Sequence, residues 1–288
     1  MPSTEMVYGY RHVPFITLSE LKPRVWITLS DCNFKCRGCF SFAREPIGEP
    51  MSVEQLINLV KKSSMGYYGD TPLEEAVITG GEPTLNRHYL VDLVSQLKEF
   101  IGGVVLDTNG YLLDDAYLTE LIDAGLTEVM FDLKVWDEKL HEWYTGYSNK
   151  RILANIRNAY GKIKLVVNTV YIPGIVDESE IESIAKFLSE IDKKGAIDYR
   201  INRYNMNLSH EKISRNPYPE EIEHAYSIVA KYMKNSVIGK SCVRERKIEV
   251  KRGWITVFPD GTLKRRTLAD YREENKRKKM KSAYLFGW

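Results

Sequence analysis

The chain has 288 residues, 43% hydrophobic and 28% charged, so it can bury a sizeable core and lacks the depleted apolar content of a disordered chain. No apolar run reaches the roughly eighteen residues of a bilayer span, and a net charge of +2 is too small to make the whole molecule a polyanion binder. The start Met1-Pro-Ser-Thr lacks the basic and apolar stretches of a secretion signal, and clustered cysteines suit a reducing compartment, which predicts a cytoplasmic protein with no membrane partner.

In chain order, short β-branched runs alternate with amphipathic stretches, the pattern of repeated βα units around a parallel sheet. A strand at Val25–Leu29 leads directly to Cys32, Cys36 and Cys39. Ser52 and Gln55 have the spacing of a capping box, opening a helix to about Ser63. A strand at Ala76–Thr79 runs into Gly80-Gly81-Glu82-Pro83 and is followed by a helix over Arg87–Phe100. The next strand, Val104–Asp107, continues into Thr108-Asn109-Gly110, with a helix over Asp114–Ala124. Strands at Glu128–Leu133, Lys164–Val170 and Ile197–Asn202 alternate with helices over Ser148–Tyr160 and Ser179–Ile191. Every polar motif falls at the C-terminal end of a predicted strand, where parallel βα folds place their chemistry. Beyond Asn205, a proline-led and acidic start at Pro217 predicts a helix to about Asn235. Residues 247–263 read as two or three short strands with turns at Arg252-Gly253 and Asp260-Gly261. Residues 264–281 carry nine Lys or Arg against three Asp or Glu before an aromatic end at Tyr284 to Trp288. This tail reads either as a solvated helix anchored by its aromatics or as a patch for RNA or an acidic protein. The expected division is an N-terminal extension to residue 24, a core over 25–205 and a C-terminal segment over 206–288.

The cysteines form Cys-x3-Cys-x2-Cys, with no further Cys or His between Asp31 and Asn86. A four-iron cluster is normally held by four thiolates, so a compact set of three predicts one iron with an open position. A structural zinc knuckle or three unrelated thiols are the alternatives, although zinc wants a nearby fourth ligand. Cys242 reads as a buried or idle thiol. Asp132 and Lys134 are two residues apart, so on a strand they share one side and point into one cavity; a surface ion pair is the other reading.

The three cysteines followed about forty residues later by Gly-Gly-Glu-Pro resemble the radical S-adenosylmethionine (radical SAM) superfamily. Asp107-Thr108-Asn109-Gly110 and Asp132-Leu133-Lys134, with His141 and Gly146 to Asn149 downstream, are similar to its pyruvate formate-lyase activating enzyme branch. The resemblance covers roughly Trp26 to Ile191 and implies a partial (β/α)6 TIM-type barrel, here with a C-terminal α+β extension. It implies a [4Fe-4S] cluster on Cys32, Cys36 and Cys39, whose fourth iron chelates SAM. Gly80 and Gly81 are then expected to let the backbone approach the methionine end of SAM, where a Cβ would collide, with Glu82 near the ammonium. Thr108 and Lys134 are implied on the SAM carboxylate, Asp132 near the amino group and ribose, and Asn168 along the nucleoside or as a turn amide. A monovalent cation is implied between Asp107, Thr108, the Met130 backbone and Asp132.

Several positions depart from that pattern. Gly38 stands where the branch has an aromatic residue before the third cysteine, and Phe40 is expected to supply the stacking surface instead. The order Gly38-Cys39-Phe40 resembles the activating proteins of anaerobic ribonucleotide reductase. The branch's histidine after the sixth strand is missing, and alternation makes Arg200 and Asn202 the inward pair there. A Pro-Asp-Gly turn at 259–261 resembles the start of an auxiliary-cluster extension, but Cys242 alone cannot supply a second cluster. The activity implied is reductive cleavage of SAM to a 5′-deoxyadenosyl radical, fed by a one-electron donor such as a ferredoxin or flavodoxin. The radical would abstract hydrogen from a glycine of a partner glycyl radical enzyme. Radical modification of a nucleobase, small molecule or peptide, and a non-enzymatic iron–sulfur electron carrier, remain open alternatives.

Overall fold

The computed structural model describes residues 9–233, 236–238 and 253–267. Its strands in chain order are β1 (Arg11–Val13), β2 (Phe15–Ser19), β3 (Arg24–Leu29), β4 (Glu49–Met51), β5 (Glu75–Gly80) and β6 (Gly103–Thr108). They continue as β7 (Glu128–Asp132), β8 (Lys164–Tyr171), β9 (Ile197–Arg203), β10 (Ser236–Ile238), β11 (Gly253–Val257) and β12 (Leu263–Thr267). The helices are α1 (Val53–Tyr68), α2 (Arg87–Lys98), α3 (Asp115–Asp123), α4 (Glu138–Thr145), α5 (Lys150–Ala159), α6 (Glu178–Ile191) and α7 (Pro219–Val229).

One ten-stranded sheet runs β10-β9-β8-β7-β6-β5-β3-β2-β11-β12. From β3 to β10 every neighbouring pair is parallel, as expected of βα units, whereas β2, β11 and β12 add antiparallel strands at the other edge. This is the open, partial barrel expected, with a seventh parallel strand beyond the six read from the sequence. Alternation along the strands separates two faces. Ile27, Ile78, Leu106 and Phe131 belong to the large core shared with the helices, whereas Trp26, Val77 and Val105 form a separate small layer against Met130. The second face is the concave one, and it carries the polar row that follows.

The expected helix starts hold. Ser52 and Gln55 exchange both bonds of a capping box at α1, and the Asp114 and Asp177 side chains cap α3 and α6. In the C-terminal extension β11 pairs with β2, so the hairpin of β11 and β12 extends the sheet beside the N-terminal strand. The turn at Asp260-Gly261 forms, with Gly261 at φ +84°; Gly253 opens β11, and Arg252, the other residue of the expected turn there, lies outside the described residues. Cys242 and the tail beyond Thr267 lie outside the described residues. Among the described residues no helix is long and apolar enough to cross a membrane.

Candidate active site

Leaving β3, Ser30 donates its N–H to His12, and Asp31 adopts a left-handed φ of 79°, held by a 2.9 Å bond from the Cys32 N–H to its own Oδ1. That reversal launches the cysteine loop. Its inner side is tied to the end of α4 by Lys35 N–H to Thr145 O (3.1 Å) and Arg37 N–H to Tyr144 O (3.0 Å). Its outer side is tied to the segment after β9 by His210 N–H to Cys39 O (2.9 Å) and Glu211 N–H to Arg37 O (3.1 Å). Phe34 anchors the loop from below, stacking on Tyr147 at 5.0 Å and meeting Tyr111 edge-on at 5.7 Å. Phe40 packs on Tyr204 at 5.7 Å between ring centres.

Cys36 is buried and Cys32 and Cys39 are half-buried. Burial pushes all three thiols up, Cys36 to about 12 despite the nearby Lys134 ammonium. Three thiols so disfavoured as free anions fit a cationic iron group, which neutralises the charge that burial penalises.

The Gly80-Gly81-Glu82-Pro83 turn packs tightly against the cysteine loop. A Cβ on Gly80 would lie 2.3 Å from the Leu29 carbonyl oxygen, and one on Gly81 would lie 2.2 Å from that of Asp31. The glycines therefore let this turn close against the chain's own cysteine-loop backbone. The contact is sealed by Gly81 N–H to Leu29 O and Glu82 N–H to Asp31 O, each 2.8 Å. Glu82 is fully buried and its carboxylate is already engaged. It accepts from the Thr84 N–H and hydroxyl, the Thr108 hydroxyl at 2.7 Å and the Asn109 N–H at 2.8 Å. Thr108 is likewise occupied, donating to Glu82 while accepting from the Gly110 N–H. Both side chains thus join the ends of β5 and β6.

The polar row on the concave face follows from register. Asp132 lies beside Asn168 and Asn168 beside Arg200, so all three share one face, as alternation required of Arg200. Lys134, just beyond the end of β7, donates to Asp132 at 2.5 Å. Its ammonium is held well above the ordinary lysine range: burial opposes the charge, but Asp132 and Cys36 outweigh it. Asp107 accepts from the Thr79 hydroxyl at 2.9 Å through Oδ2, while its buried Oδ1 has no partner. Burial first, and then Asp132, raises this carboxyl to about 7. An orphaned carboxylate oxygen on a group that feels a second carboxylate is a setting that a bound cation would relieve. Arg200 also reaches the Met130 sulfur at 3.7 Å and Asp198 at 3.6 Å.

Two site residues take roles that the sequence did not assign to them. Asn109 donates to Asn33 at 2.8 Å and approaches the Cys32 sulfur at 3.9 Å. Tyr144 explains Gly38: a Cβ there would lie 2.6 Å from the Tyr144 hydroxyl oxygen. The signal for α4, which carries Tyr144, was present in Asp137 as an N-cap and Gly146 as a left-handed C-cap.

The family model described as the radical SAM superfamily matches residues 26–188. A Methanocaldococcus jannaschii protein provisionally named a glycyl-radical enzyme activating enzyme is 36% identical over 227 residues, 75% of this chain and 80% of that protein. A Haemophilus ducreyi GTP 3′,8-cyclase is 31% identical over 170 residues, but these span only 57% of this chain and 47% of the cyclase. Among solved structures, Streptococcus suis SuiB bound to precursor peptide SuiA has a TM-score of 0.63 at 18% identity. That match covers 76% of this chain and 49% of SuiB, a likeness of fold.

Proposed function

The chain belongs to the radical SAM superfamily, whose members use a [4Fe-4S] cluster and SAM, and on that premise we propose that it activates a glycyl radical enzyme by taking hydrogen from a glycine of that partner. The observation that carries this reading is the 36% likeness across three quarters of the chain to a protein provisionally named as such an activase. Asp107 to Gly110 and Asp132 to Lys134 support it from the site.

In this reading Cys32, Cys36 and Cys39 hold the cluster. Once bound, the cluster and SAM supply one-electron cleavage of the sulfonium and the hydrogen abstraction that follows. The chain's own groups bind and orient. Lys134 offers an ammonium to the SAM carboxylate, and Asp132 accepts from its amino group. Asn168, Arg200 and Phe40 are the side chains offered to the nucleoside, and Asp107 with Asp132 is suited to a monovalent cation. Gly80 and Gly81 bring the turn against the cysteine loop, so that cluster and SAM sides are fixed relative to one another. The Phe34 aromatic cluster and the segment bonded to Arg37 and Cys39 shield the loop from water. An external one-electron donor of the ferredoxin or flavodoxin kind completes the scheme.

The cyclase likeness supports a second reading, radical chemistry on a small molecule, because motifs that bind SAM do not follow the substrate. One experiment separates the two. The reduced, reconstituted protein is mixed anaerobically with SAM and extract from its own cells and examined by electron paramagnetic resonance. The activase reading requires a persistent glycine-centred signal on a large protein. Deoxyadenosine forming in step with a modified small molecule, nucleoside or peptide, without that signal, would replace it with the second.

A further inference from the structure

Arg11 lies in β1, outside the segment matched by the family model, and is 7% exposed. Its guanidinium donates through Nη1 to Pro83 O at 3.0 Å, and through Nη2 to Ser30 O at 2.9 Å and Glu82 O at 3.0 Å. Ser30 stands two residues before the first cysteine, and Glu82 and Pro83 directly follow the two glycines. The three acceptors therefore belong to the two backbone segments that meet where Gly80 and Gly81 have no room for a Cβ. Next to Arg11, the carbonyl of His12 takes the Ser30 N–H, so β1 grips the exit of β3 from two positions. Behind this junction the Glu82 carboxylate is fully buried, and the guanidinium is a fixed positive charge close to it. A planar fork of donors can hold three carbonyls in fixed directions, which an ammonium on a flexible stem cannot do.

We propose that Arg11 is a positioning residue of the cofactor site, a buried fork that fixes the cysteine loop against the Gly-Gly-Glu-Pro turn and so sets the distance between cluster and SAM. This rests on the cofactor reading above. The N-terminal strand is then a working part of the site rather than an extension to it.

The test compares the full-length, cluster-reconstituted parent with Arg11→Met and Arg11→Lys, well below their melting temperatures. Two readouts besides turnover are taken per cluster-loaded molecule: the dissociation constant for SAM, and the change that SAM causes in the paramagnetic resonance spectrum of the reduced cluster. Arg11→Met should weaken SAM binding at least fivefold and diminish the spectral change, and Arg11→Lys should recover only part of either. A smaller loss in Arg11→Met, or full recovery by lysine, overturns the proposal and leaves Arg11 a stabilising residue or a mere charge. Failure of both variants to fold also overturns it, because the proposal requires a folded protein with a displaced site. A parent that holds iron yet never binds SAM would instead strike the cofactor reading itself, and the proposal with it.

Discussion

A buried and a half-buried carboxylate at the strand ends, Glu82 and Asp107, show how the same side-chain chemistry serves opposite ends. Glu82 accepts four hydrogen bonds and acts as a bracket between β5 and β6. Asp107 has a single donor in Thr79, an unpartnered oxygen and Asp132 nearby, and its carboxyl is raised to about 7 by burial and by that neighbour. A carboxyl near 3.8 when unfolded and near 7 when folded binds its proton more tightly in the folded state. Its contribution to stability is therefore full below the unfolded value and is lost as pH rises through about 7. In the cofactor-free protein, Asp107→Asn should raise the melting temperature at pH 8 by a few degrees, on the order of 1–2 kcal/mol, and change it little at pH 4. Potassium or sodium should raise the melting temperature of the parent at pH 8 and leave the Asn variant unmoved. Equal melting curves of parent and variant at pH 8 would remove both the strained carboxylate and the cation site built on it.

At the scale of elements, the legible parts were those with a strong local pattern. The six parallel strands and the helices α1, α2, α3, α5, α6 and α7 appear where β-branched runs, capping residues and apolar periodicity placed them, with ends shifted by a few residues. The missed elements are short or defined by distant partners. Among these, β1 and β4 have three residues each and exist because they pair with one another, and β2 is recognised only through β3 and β11. The cysteine spacing, the glycine pair and the Asp-x-Lys pair were legible because each is local in sequence. Arg11, Asn109 and Tyr144 were not, since each acts on backbone or side chains far along the chain. Gly38 illustrates this: from sequence it is a departure from the aromatic expected before the third cysteine, whereas in space α4 supplies Tyr144 against it. Gly38→Ala should therefore destabilise the folded protein by roughly 1–3 kcal/mol through overpacking. The nearest atom is a hydroxyl, with ring and Ile213 carbons following at 3.2 Å. Tyr144→Phe in the same chain should restore part of the loss, a positive coupling measurable by a double-mutant cycle of denaturant melts. Additive losses would show that the two elements do not meet there.

At the scale of the whole molecule, chain ends far apart in sequence share one sheet edge. All five residues of β2 are buried, and β11 covers the edge that β2 would otherwise expose. Ile255 and Val257 of β11 enter the same core as Ile16 and Leu18 of β2. Arg265 on β12 adds a bidentate ion pair with Glu20, at 2.5 and 2.9 Å, although at an exposed position its contribution is modest. The hairpin thus stabilises the N-terminal strands, and those in turn hold β3, from which the cysteine loop departs. Removing residues 253–288 should leave the outer edge of β2 unpaired, lower the melting temperature by well over ten degrees and promote edge-to-edge association visible by sedimentation. The loss should propagate to the site as poorer iron retention after reconstitution, although no cysteine of the loop has been touched. Removing only residues 268–288 keeps every described strand of the sheet and should leave melting temperature and iron content close to those of the intact chain. If that shorter truncation is equally damaging, the tail packs as a structural element, and if it instead abolishes a salt-sensitive affinity for RNA while stability holds, its basic residues form a binding surface.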